Sequence, residues 1–94
     1  MTSNLKVDNI QNLAGDDSGI DLSTNDQIIL KTANTTAITV DSSQQVGIGT
    51  TAMSSYYAKD LVLSAVNQGG ITITGATTDT GQYIMFADGT SGAD

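Results

Sequence analysis

The chain has 94 residues and a mass of 9.6 kDa, one domain or a fragment of one, because a single hydrophobic core takes about 100 to 150 residues. Lys6, Lys31 and Lys59 stand against ten Asp, giving a net charge of −7 with no Arg; this excludes the basic patch that phosphates require, so neither nucleic acid nor an anionic membrane is an expected partner. With no Cys and no His there is no disulfide, no thiolate or imidazole zinc site and no Ser/His/Asp or Cys/His catalytic set, so neither a cofactor nor an enzymatic activity is expected.

In chain order, Leu5-Lys6-Val7-Asp8-Asn9-Ile10 places Leu5 and Val7 on one face of a first strand, and Ala14-Gly15-Asp16-Asp17-Ser18-Gly19 reads as its turn. Ile20-Asp21-Leu22 alternates briefly, Ser23 to Asp26 turns, and Gln27-Ile28-Ile29-Leu30-Lys31-Thr32 alternates with Ile28 and Leu30 on one side. Ala33-Asn34-Thr35 turns again into Thr36-Ala37-Ile38-Thr39-Val40, with Ile38 and Val40 inward and Thr39 outward. Asp41-Ser42-Ser43-Gln44 then leads to Gln45-Val46-Gly47-Ile48. Residues 51–59 break the period, and a Ser or Thr cap followed by Ala52 and Met53 predicts a short helix or 3₁₀ connector. Strands are expected again at Leu61–Ala65, Gly70–Thr74 and Gln82–Ala87. Asp88-Gly89 is a tight-hairpin dipeptide that calls for a return strand, which suggests a chain continuing in a longer protein.

All ten acids are Asp and none is Glu, while Thr, Ile and Val alternate with small polar residues; the predicted class is all-β. No apolar run approaches the roughly 18 to 20 residues of a membrane span, and residues 1–13 lack the regions of a secretory signal. Large apolar residues are sparse and aromatics make up only 4%, so a core completed by association with copies of itself is expected. Ile20 to Ile28 echoes Leu61 to Ile71 in the order Leu-Ser, Asn, Gln, Ile, which similar turn chemistry explains as well as a repeat does.

Three groups invite a functional reading. Asp16, Asp17, Asp21 and Asp26 offer hard oxygens of the kind Ca²⁺ takes, but their spacing fits no EF-hand loop, and solvated turns account for them, leaving no metal site expected. Gly47-Ile48-Gly49-Thr50-Thr51 lacks the lysine of a phosphate-binding loop, so its glycines read as structural. Tyr56 and Tyr57 could stack on sugar rings, though packing at the connector or between chains is the expectation.

Three segments resemble tail-fibre proteins of marine and cyanobacterial tailed bacteriophages. Leu5-Lys6-Val7-Asp8-Asn9-Ile10-Gln11-Asn12 is similar to their opening, Ile38 to Thr51 with its Val46-Gly47-Ile48-Gly49-Thr50-Thr51 run resembles their recurring strand-turn unit, and Tyr83 to Asp94 is similar to a strand and turn leading into further β-structure. The chain departs from that pattern where Met53 stands near the family's usual Pro and where Lys59-Asp60-Leu61 matches only loosely.

The resemblance implies serial short strands in an elongated, intertwined homotrimeric fibre with one short connector near 51–59. Residues 1–15 would form a virion-attachment strand and loop, 16–50 a β-repeat unit, 51–60 the connector, and 61–94 a second β-unit. It also implies a virion location, assembly in the host cytoplasm, and docking onto a tail or capsid protein through Leu5, Val7, Ile10 and Leu13, with the distal part of the fibre contacting the host. Three chains would share an axial core of Ile28, Leu30, Ile38, Val40, Val46 and Ile48, with Gly47 and Gly49 allowing close backbone approach between them. The alternatives are a receptor- or glycan-binding β-module and a head-fibre or decoration protein.

Overall fold

In the computed structural model, which describes residues 3–89, six short strands form one sheet. They are β1 (Asn9–Gln11), β2 (Gly19–Asp21), β3 (Ile28–Thr32), β4 (Thr35–Val40), β5 (Val46–Ile48) and β6 (Leu61–Leu63). A 3₁₀ turn at Met53–Ser55 sits between the last two, where the connector is predicted, and the described residues hold no α-helix. The chain is all-β. Spatial order follows chain order: β1 to β5 run as an antiparallel meander, and β6 joins β5 in parallel after a crossover through residues 49–60.

Local chemistry explains the turns. Ala33 (φ 48°) and Asn34 (φ 61°) form a two-residue loop between the paired Thr32 and Thr35, the left-handed geometry that matches strand twist and that Asn, but not Ala, tolerates well. One turn of pairing later Leu30 faces Ile38 but Lys31 faces Thr36, so Ala37 is the extra residue of a β-bulge. The β4–β5 turn is organised by the Asp41 carboxylate, which accepts from the backbone N–H groups of Ser43 and Gln45, both at 3.0 Å, while Gln44 takes φ 59°. After β1, the Ser18 N–H donates to Asn12 Oδ1 at 3.0 Å. This loop docks on the β3–β4 turn, with the Asn34 N–H donating to the Asp17 carbonyl at 2.6 Å and the Ala33 N–H to Ser18 Oγ at 3.1 Å.

The pairing register assigns the two faces. Ile29, Thr39, Gly47 and Val62 stand side by side on one of them. The crossover covers this face: Met53, 1% exposed, lies against Gly47, where an added Cβ would overlap Met53 Sδ and the Thr50 carbonyl oxygen. Ser54 Oγ donates to Oε1 of the buried Gln45 at 3.0 Å and fixes the 3₁₀ turn to the same face. Met53 and Val62 are the buried apolar side chains among the described residues.

Several expectations are corrected here. Thr39 does point away from Ile38 and Val40, but it is buried rather than outward, because its side of the sheet is the one the crossover covers. Gly47 makes room for Met53 of its own chain rather than for a neighbouring backbone, and a Cβ on Gly49 (φ 77°) would meet the Ser64 carbonyl oxygen. Pairing in the first strand begins at Asn9, not Leu5. The strands expected at Gly70–Thr74 and Gln82–Ala87 do not form; 64–89 contains turns at 66–69 and 76–79 and no paired segment. Alternating side chains favour a strand only where a partner supplies the ladder, and neither stretch is paired with a strand. The echo between Ile20–Ile28 and Leu61–Ile71 therefore extends only to the first strand of each, β2 and β6. The return strand after Asp88-Gly89 falls on residues 90–94, outside the described ones.

The radius of gyration is 17.5 Å, where a compact chain of this length would have about 12 Å. The accessible surface is 7846 Å², against roughly 5,100 Å² for a compact monomer of this mass.

Candidate interaction surface

Opposite the covered face, the register lines up an aliphatic row across every strand. Ile10 pairs with Ile20, Ile20 with Leu30, Leu30 with Ile38, Ile38 with Ile48, and Ile48 with Leu63. A second row runs Ile28, Val40, Val46 and Leu61. No charged residue belongs to either row. Period-two alternation puts these side chains on one face, and among the described residues only 70–72 pass over part of it: Leu30 is 39% exposed, Ile48 40%, Ile28 46% and Leu61 61%. A contiguous apolar face of this kind is uncommon on a soluble monomer.

All six residues expected to form a shared core, Ile28, Leu30, Ile38, Val40, Val46 and Ile48, lie in these two rows. Ile20, Leu61 and Leu63 belong with them and were missed. Their signal was present in Ile20-Asp21-Leu22 and Leu61-Val62-Leu63, but each stretch is too short to assign a face without its neighbour. The four residues expected to attach to a virion are not gathered together. Ile10 heads the long row in β1, Val7 precedes the strand, and Leu5 and Leu13 lie outside the sheet and are almost fully exposed.

Two clefts open at the ends of the aliphatic face. One, of about 380 Å³, has Leu22, Ile28 and Val40 as apolar lining, with Asp26, Asp41 and Gln44 from the turns at its rim. The other, of about 430 Å³, lies between Ile48, Leu61 and Leu63 of the sheet and residues 70–72, which pass over them.

The acidic residues sit in turns. Asp16 and Asp26 take left-handed φ of 59° and 61°, and among the described residues no three acidic side chains gather into a group that could hold a metal ion. Asp21 accepts from Ser23 Oγ at 2.5 Å and from the Ser23 N–H at 2.9 Å; these bonds, with a smaller contribution from nearby Lys31, hold its carboxyl below the usual carboxylate range. Tyr57 is fully exposed and Tyr56 half exposed, so of the two expected arrangements, packing at the connector or between chains, the first does not hold within the chain.

No protein-family description, curated protein or solved structure matches the chain.

Proposed function

We propose that the chain is a structural component of a virion, the anchoring part of a trimeric phage tail fibre, and that it associates with two copies of itself through the aliphatic face. The observation that carries this reading is the charge-free row from Ile10 to Leu63, which crosses all six strands and which, among the described residues, only 70–72 pass over, at its β6 end. The tail-fibre-like segments of the sequence supply the biological setting. They make the site of action the virion, and they make a tail or capsid protein the docking partner of the Leu5–Leu13 region.

Surface arithmetic supports association. The chain exposes roughly 2,700 Å² more than a compact monomer of its mass, and obligate interfaces bury about 1,000 to 2,500 Å² on each partner. At about 25 cal/mol per Å², burying even part of that surplus offsets the repulsion among acidic chains, whose Asp residues lie on turns in water screened over about 8 Å.

Sedimentation equilibrium of the purified chain tests the reading. The expected mass is three times 9.6 kDa. Ile48→Asp, which places a carboxylate in the middle of the row, is expected to leave monomers. Trimers that persist in Ile48→Asp would refute the role given to this face. Labelling the chain in intact particles tests the location, and signal confined to the tail is the expected result.

A second reading, a glycan-binding module, rests on the full exposure of Tyr57, whose ring could stack on a sugar. Saturable binding on a glycan array, lost in Tyr57→Ala, would favour it.

A further inference from the structure

The outer edge of β6 is open. β6 bonds to β5 through the Val46 N–H to the Asp60 carbonyl at 2.8 Å and the Ser64 N–H to the Ile48 carbonyl at 2.9 Å. In a parallel ladder that pattern engages alternate residues, and it turns the N–H and C=O groups of Leu61 and Leu63 toward the other side, where no strand lies. No Pro, bulge or inward charge blunts this edge, and the one protecting device it has is its short length of three residues. Beside it lies the 430 Å³ apolar cleft between Ile48, Leu61, Leu63 and residues 70–72.

The same chain carries a run of strand-favouring residues outside the sheet. Tyr83-Ile84-Met85-Phe86 are four consecutive large apolar residues, 67%, 69%, 61% and 89% exposed, and their backbone groups form no ladder. Such residues favour strands, and a run of this length on a water-exposed segment calls for a partner.

We propose that residues 82–87 of a second copy add to the free edge of β6 as a seventh strand, with alternate side chains of the run entering the apolar cleft beside Leu61 and Leu63. This rests on the self-association proposed above. A second copy fits better than the chain's own segment for two reasons. In its own chain residues 70–72 form the far wall of the open cleft beside Ile48, Leu61 and Leu63 while 82–87 does not line it, and the surplus surface is of the size that association between chains buries. Residues 61–63 and 82–87 carry no charge, so the pairing brings together stretches where these acidic chains do not repel each other. Main-chain bonds along the edge would supply affinity and the cleft would supply register, as in other strand additions.

The absence of cysteine makes the test clean. Ser64→Cys, at the exposed end of β6, is mixed during refolding with a differently tagged chain carrying either Gln82→Cys or Ala87→Cys, and the assemblies are treated with a short bismaleimide. The two choices cover parallel and antiparallel addition. The expected result is a cross-linked heterodimer with one of the two partners, lost when Ile84 and Phe86 are both changed to Asp. Assemblies of full mass that give no heterodimer with either partner would overturn the strand addition while leaving self-association standing. A chain that sediments as a monomer would overturn both. Cross-linking only within a chain that carries both cysteines would show that the segment pairs with its own β6, and would overturn the exchange between copies.

Discussion

Thr39→Val is expected to make the protein more stable. Thr39 lies on the covered face of β4, 1% exposed, and its hydroxyl is buried without a hydrogen-bond partner. In the unfolded chain that hydroxyl is hydrated, so folding strips it of water and returns nothing, a penalty of about 1 to 3 kcal/mol. Val has nearly the same shape, fits a strand as well, and has no polar group to desolvate. The expected gain is about 1 to 2 kcal/mol, which in a domain of this size raises Tm by about 4 to 8 °C per kcal/mol. Thr39→Ser, which keeps the hydroxyl and removes the methyl, should instead lose about 1 kcal/mol. Urea unfolding followed by far-UV circular dichroism, at one fixed chain concentration so that association does not shift the midpoint, measures both. If Thr39→Val unfolds at lower urea than the wild type with an unchanged slope, the hydroxyl has a partner after all and the account of the covered face is wrong. Thr39 faces away from the aliphatic rows, so this outcome does not depend on what the open face meets.

Three further predictions follow from local geometry. Gly47→Ala should cost about 1 to 3 kcal/mol, because the new methyl overlaps Met53 Sδ and the Thr50 carbonyl; combined with Met53→Ala its extra cost should shrink, as a double-mutant cycle by urea unfolding would register. Ala33→Gly and Gln44→Gly relieve left-handed backbone at φ 48° and 59° and should each stabilise by up to about 1 kcal/mol, visible as a rise in the thermal midpoint. Asp21 has a depressed folded pKa, so its bonds to Ser23 contribute at neutral pH and are lost as pH falls below about 4 and through the folded value. Ser23→Ala should therefore unfold more easily than the wild type at pH 7, and the gap should close in acid.

The meander was legible because two local signals agreed along it. Ile28, Leu30, Ile38, Val40, Val46 and Ile48 alternate at period two, and Asn34 and Asp41 are residues whose side chains or αL tolerance make turns, so strands, turns and shared face all follow from neighbours in sequence. What lay beyond reach depended on contacts between distant residues. Met53 sits in a stretch with no periodicity, and nothing in its surroundings says that it fills the space left by Gly47, so the identity of the covered face, and with it the burial of Thr39, stayed hidden. Ile71, Ile73 and Tyr83 to Phe86 have the composition of strands, but an unpaired strand is not stable, and pattern alone does not report whether a partner edge is at hand.

The parallel joint between β5 and β6 also sets an order of events. Each antiparallel pair from β1 to β5 closes a short loop, so the meander depends on contacts near in sequence and can form quickly. β6 must wait for the crossover through residues 49–60, and a ribosome adding about 5 to 20 residues per second leaves the edge of β5 bare for on the order of a second before Leu63 emerges. When Met53 seats against Gly47, one side of the sheet closes and the other stays available. The sheet thus acquires its two unlike sides within a single chain.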